Sequence, residues 1–112
     1  MFLTGNFQIV KTDEQDFDEI LSIYNSNKVF LLNHTGTSVV DREWCAWDFN
    51  DTLNGGFSRY RIAEAGNGPA IGFLDAKVSE ETYLSLLILH ENWQGRGIGK
   101  EIYKGFEEYI RG

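Results

Sequence analysis

The sequence predicts a single α+β domain, and three observations carry that prediction. Helix-period and strand-like hydrophobic patterns both occur along the chain. Three consecutive strand patterns are joined by short turn signals, which makes them antiparallel neighbours. The chain has 112 residues, 42% of them hydrophobic and 14% aromatic, which suits one core and not two.

The elements follow in order. Phe7–Lys11 reads as a short strand. Thr12 and Gln15 have capping-box spacing, and Asp13 and Glu14 suit the positive end of a helix dipole. Phe17, Ile20, Leu21 and Tyr24 then fall on one helical face, and Asn25-Ser26-Asn27 ends that helix. Val29–Leu32 is a short apolar patch, followed by a loop at His34-Thr35-Gly36-Thr37. Ser38 or Asp41 can cap a second helix with Val40, Trp44 and Trp47 on one face, ended by the Asn, Asp and Gly of Asn50–Gly56. Three strands are expected at Phe57–Ala65, Ala70–Val78 and Thr82–Leu89. The last is apolar on both faces and reads as a central strand. A final helix runs from about Gly97 to Ile110, with Ile98, Ile102, Phe106, Tyr109 and Ile110 as its stripe. The predicted order is β-α-α-β-β-β-α.

Composition excludes several classes. Cys45 is the only cysteine, so no intrachain disulfide exists and no Cys/His cluster has zinc spacing. The N-terminus lacks the basic start and long apolar run of a signal peptide, and no stretch reaches the ~20 apolar residues of a membrane span. A cytosolic protein is expected. The formal net charge of −7 argues against a nucleic-acid partner, for which phosphate neutralisation supplies much of the affinity.

The chemistry is concentrated between the third strand and the last helix. His90-Glu91-Asn92-Trp93-Gln94-Gly95-Arg96-Gly97-Ile98-Gly99-Lys100 is a glycine-rich turn that opens a helix. The first N–H groups of a helix have no intrahelical partner, and glycines let an anion approach them. Arg96 and Lys100 add positive charge in an acidic protein. The dinucleotide pattern needs a glycine where Lys100 stands, and the P-loop needs Ser or Thr where Glu101 stands. Both fail.

The pattern that fits is Gln/Arg-x-x-Gly-x-Gly/Ala, present as Gln94-Gly95-Arg96-Gly97-Ile98-Gly99. With the strand before it and the helix after it, this resembles the acetyl-CoA signature of the GNAT N-acetyltransferase superfamily. The motif resemblance covers about residues 82–110, and the element order covers the whole chain. It implies a GNAT-like mixed sheet flanked by helices, with residues 1–112 forming one partial acyl-CoA N-acyltransferase domain and 84–110 its cofactor-binding segment. It further implies that the backbone of Ile88 and Leu89 holds the pantetheine arm of acetyl-CoA. The N–H groups of Gln94, Gly95, Arg96, Gly97, Ile98 and Gly99 would surround the pyrophosphate, with Lys100 placed to contact phosphate. No metal is expected.

The resemblance also implies direct acetyl transfer to a primary amine. The base that many members place early in the preceding strand corresponds to Tyr83 here, a departure that leaves the base unassigned. Tyr83 is open to a second reading as a sheet aromatic, and Glu81 (like Glu80) as a solvated turn residue. The family's acceptor site would include Tyr24, Phe30, His34, Trp44, Trp47 and Asp48, residues that can equally pack against the sheet. Members of the family continue beyond this helix with further strands, so the C-terminal part of the fold is expected to be absent. In that case strand 82–89 would become an apolar edge and a route to a homodimer. The alternative function is a truncated remnant that binds CoA or self-associates without catalysis.

Overall fold

The computed structural model describes residues 2–64, 68–77 and 82–111. Five strands form one antiparallel sheet: β1 (Phe2–Thr4), β2 (Phe7–Lys11), β3 (Ser58–Glu64), β4 (Ala70–Lys77) and β5 (Tyr83–Leu89). They lie side by side in chain order. Between β2 and β3 come α1 (Phe17–Ser26), α2 (Lys28–Thr35) and α3 (Arg42–Asn54), and α4 (Ile98–Arg111) follows β5. The expected α+β sheet flanked by helices is present, with two elements more than the sequence reading anticipates.

The first addition is β1. It joins β2 through Gly5-Asn6, with Gly5 at φ 55°, so two residues close a tight hairpin. The second is α2, in place of the expected patch and loop. Only Leu31 of this helix is buried. Its C-cap is Gly36 at φ 84°, in the left-handed conformation that ends many helices. The cap of the first helical segment also differs. Asp13, not Thr12, accepts the N–H of Gln15, and Asp16 reciprocates on the N–H of Asp13. Thr12 continues the β2 edge instead, donating its N–H to the Arg59 carbonyl at 2.8 Å.

Each face of the sheet carries one apolar cluster. Phe7, Ile9, Tyr60, Ile62, Leu74 and Leu89 pack with Ile102 and Phe106 of α4. Phe73 and Ile88 pack with Phe17, Ile20, Tyr24, Leu31, Cys45 and Phe49 on the other face. The buried residues of α3 are Cys45 and Phe49, four apart, and of the face expected at Val40, Trp44 and Trp47 the first two pack half-buried against the same cluster. Trp47 is 60% exposed.

β5 is the outermost strand of the described sheet rather than a central one. Its pairing with β4 skips Ser85, since Asp75 faces Leu86 and Ala76 faces Leu84. One extra residue reverses the side-chain alternation. Leu84, Leu87 and Leu89 therefore reach the α4 face, while Leu86 and Ile88 reach the α1 face. Clusters on both faces of the sheet take side chains from β5, which is why this run is apolar almost throughout without being a central strand.

Candidate active site

The turn between β5 and α4 is held by local bonds. His90 Nδ1 accepts the N–H of Asn92 at 3.1 Å and opens a 3-10 turn over Glu91–Trp93. The N–H of Trp93 donates to the His90 carbonyl, and that of Gln94 to the Glu91 carbonyl at 3.3 Å. The chain then passes through Gly95 and Gly97, both at φ 76°. L-residues pay steric energy in that region, so glycine is the residue that fits. A Cβ at either position would meet nothing within 4 Å, so the space over both is open.

The ladder of α4 begins when Glu101 N–H reaches the Gly97 carbonyl at 3.1 Å. The N–H groups of Ile98, Gly99 and Lys100 precede it and have no intrahelical acceptor. The helix dipole places partial positive charge there. Arg96 lies with its guanidinium 5.1 Å from the centre of the Trp93 ring, and Lys100 is exposed. A cavity of about 300 Å³ opens beside this turn, lined by Leu87, Ile88, Leu89, Gln94, Gly95 and Gly99. It brings together five of the residues expected to hold a cofactor. Arg96, Gly97, Ile98 and Lys100 belong to the same turn without lining that cavity.

The edge of β5 has a definite polarity. His90 N–H donates to the Ile71 carbonyl at 2.7 Å, and Ile88 stands opposite Phe73 in the same register. Antiparallel pairs alternate, so Ile88 directs its backbone groups to β4, whereas Leu87 and Leu89 direct theirs to the open side. The Leu89 carbonyl is already engaged there. Asn27 Nδ2 donates to it at 3.0 Å and Gln94 Nε2 at 2.8 Å. Gln94 Nε2 also reaches Asn27 Oδ1, and Ser26 Oγ accepts the N–H of Glu91 at 3.0 Å. The junction of α1 and α2 is thereby tied to the glycine turn, a link that the isolated strand-turn-helix motif could not reveal.

A second cavity, about 270 Å³, lies between α2 and α3 and is lined by His34, Thr35, Trp44, Trp47, Asp48 and Asp51. Four of the six residues expected at an acceptor site meet here: His34, Trp44, Trp47 and Asp48. His34 is in the last turn of α2, stacked on Phe30 at 5.3 Å, rather than in a loop. Trp44 and Trp47 stand 6.4 Å apart, centre to centre. Tyr24 and Phe30, the other two, are not on the wall; Tyr24 lies behind it. It is buried and donates its hydroxyl to Asp48 Oδ2 at 2.7 Å.

That bond is part of a buried polar network which the sequence reading misses. Arg59 is 1% exposed and grips Asp75 with two bonds, Nε–Oδ1 at 2.7 Å and Nη2–Oδ2 at 2.8 Å. Nη2 also reaches Asp48 Oδ2 at 2.9 Å, and the guanidinium lies 4.5 Å from the Phe73 ring centre. Burial pushes the Asp75 carboxyl upward, against the opposing pull of Arg59. Burial likewise drives the Tyr24 hydroxyl well above its ordinary value, so it stays a neutral donor. One signal is legible in the sequence: Asp75 interrupts the apolar run Phe73-Leu74-Asp75-Ala76, where a carboxylate needs a buried partner.

Tyr83 lies at the start of β5, opposite Lys77, and is 53% exposed. Glu80 and Glu81 fall outside the described residues. No group of three or more metal-ligating side chains occurs among the described residues.

Solved structures share this architecture. An acetyltransferase from Thermus thermophilus superposes with a TM-score of 0.73 at 20% identity, over 96% of this chain and 71% of that one. A RimL ribosomal L7/L12 alpha-N-protein acetyltransferase in complex with coenzyme A gives 0.74 at 17%, over 96% and 65%. A paia N-acetyltransferase from Thermoplasma acidophilum, also in complex with coenzyme A, gives 0.59 at 13%, over 96% and 73%. This chain thus spans about two thirds to three quarters of the length of these three proteins. No curated protein sequence matches significantly. The model of the acetyltransferase (GNAT) family matches residues 17–112, most of the chain, and the chain belongs to that family.

Proposed function

We propose that this chain is the acetyl-CoA-binding part of an N-acetyltransferase that transfers acetyl to a primary amine. The observation that carries the reading is the cavity where the β5 edge meets the start of α4. There two glycines at positive φ leave open space beside helix N–H groups that have no intrahelical acceptor. Gly95, Arg96, Gly97, Ile98 and Gly99 would hold the diphosphate through main-chain N–H groups, with Lys100 adding charge. Gln94 would act differently from its neighbours, since its N–H and side chain serve the turn itself.

On the β5 edge, Leu87 and the N–H of Leu89 face the side where the amides of a pantetheine arm would pair. Ile88 would contribute by packing. Bound acetyl-CoA supplies an activated thioester. The chain's part is to fix that group along β5 and to admit an amine that has lost its proton. Tyr83 and Glu81 are the residues to test as base. The cavity lined by His34, Trp44 and Trp47 would receive the acceptor, with Tyr24 orienting Asp48 on its wall. The ribosomal L7/L12 acetyltransferase among the similar structures supports an amine on a protein as one acceptor class. A cytosolic location accords with the single buried cysteine.

Titration calorimetry with acetyl-CoA tests the site directly. Gly97→Val forces a branched side chain into left-handed backbone beside the diphosphate and should remove measurable binding. Unchanged affinity in a folded Gly97→Val protein would refute the site. Thiol release in the presence of amines then separates transfer from binding alone.

A further inference from the structure

We infer that the cavity between α2 and α3 holds a positive charge of the acceptor that is not the nitrogen being acetylated. The proposed acceptor therefore carries at least two cationic groups. This rests on the acetyl-transfer reading above.

The walls of the cavity have the chemistry of a cation site. Two indoles, an imidazole and two carboxylates surround about 270 Å³, with no ammonium or guanidinium on the lining among the described residues. Aromatic faces beside carboxylates favour an organic cation over a bare metal ion. Behind that wall the charge is unbalanced. Arg59 is gripped by both oxygens of Asp75, and the same guanidinium is the cation bonded to Asp48. Two carboxylates thus share one positive charge, and the Asp48 side chain is 13% exposed. An underneutralised carboxylate at the floor of a pocket is stabilised by a cation arriving from the open side. Asp51, one helical turn along α3, adds a further negative charge to the same wall.

These groups make the cavity wrong for the reacting nitrogen. Acetyl transfer needs a neutral amine, and neighbouring carboxylates hold an amine protonated. The Asp48 wall of the cavity is also set back from the reaction edge, because Asp48 is bonded to Arg59. Arg59 sits on β3, two strands in from β5, or about 10 Å at ordinary strand spacing. An acceptor anchored by one ammonium here could extend a second, unprotonated amine toward the β5 edge.

Indole fluorescence of the full chain in a Trp93→Phe background reads the cavity without requiring turnover. The probes are 1,4-diaminobutane, a glycyl-lysine dipeptide, 4-aminobutyl-trimethylammonium and neutral 1,4-butanediol. Saturable binding of diaminobutane or of the dipeptide, with none of butanediol, is expected, and whichever binds more tightly identifies a small-molecule or a peptide source. The quaternary compound, whose head cannot be acetylated, should bind as tightly as diaminobutane. Asp51→Asn should weaken cation binding by roughly tenfold while leaving acetyl-CoA affinity unchanged. Binding of neither dication, equal binding of butanediol, indifference to Asp51→Asn or rejection of the quaternary head would each overturn the inference. Loss of acetyl-CoA binding in the parent chain would instead overturn the transfer reading, so the two failures are distinguishable.

Discussion

Arg59 shows how much one side chain can organise. Its bonds draw β4 and α3 onto β3, and its removal would leave the buried Asp75 and the half-buried Asp48 without a counter-charge. Stranding a buried charge typically costs about 3–5 kcal/mol, whereas replacing a whole pair by apolar residues is often neutral. Arg59→Ala should therefore lower unfolding stability by about that amount in urea titration. Arg59→Met combined with Asp75→Leu should recover much of it, and a double variant as unstable as the single would contradict this account. Cys45 sits at the other extreme. It is fully buried, and burial pushes its thiol up to about 11. At pH 8 the thiolate fraction would then be about one in a thousand, and the thiolate is the reactive form. Iodoacetamide should leave Cys45 unmodified in the folded chain and label it once urea unfolds the protein. Because the folded value lies above the ordinary one, the fold is favoured while the thiol stays protonated. That preference should fade as pH rises from the ordinary thiol range toward 11.

At the level of elements, Gly72 decides how closely β4 and β5 approach. A Cβ there would lie 2.5 Å from the Ile88 carbonyl oxygen and 2.7 Å from Leu89 Cδ2. Gly72→Ala must push the end of β5 outward, and that end forms one wall of the cofactor cavity. Loss of stability together with weaker acetyl-CoA binding is expected by thermal melting and calorimetry. Unchanged affinity in the folded variant would mean that β5 does not position the cavity. What is legible in the sequence follows the strength of local signals. The α4 stripe reads from Ile98, Ile102 and Phe106 because period and burial coincide over the first three turns. The glycine turn is readable because Gly95 and Gly97 are needed for backbone reasons that composition alone expresses. α2 is not, since only Leu31 of its eight residues is buried and no amphipathic period exists to detect. The face of α3 is read in part, since Trp44 packs against the core as well as lining a cavity, whereas Trp47 turns outward and Cys45 and Phe49 mark the buried side. The Asn27–Leu89–Gln94 contact joins residues up to 67 apart in sequence, a distance no local pattern reports.

For the molecule as a whole, the decisive feature is the outer edge of β5. Leu87 and Leu89 direct backbone groups away from β4, and in the described sheet no strand lies beyond them. Although the Leu89 carbonyl is engaged by Asn27 and Gln94, the rest of this apolar edge is a template for another strand, and the simplest complement is a second copy of itself across a two-fold axis. We propose that the 112-residue chain dimerises through this edge. The pantetheine arm of acetyl-CoA would use the same groups, so dimer and cofactor should exclude each other. By mass action, a ligand that binds only the monomer shifts the equilibrium toward it. Sedimentation velocity at increasing concentration should show a monomer–dimer equilibrium that acetyl-CoA drives toward monomer. In hydrogen exchange, the amides of Leu87 and Leu89 should gain protection either as the dimer forms or as cofactor binds. A monomer at every concentration, or a dimer indifferent to saturating acetyl-CoA, would show that this edge is not shared between them.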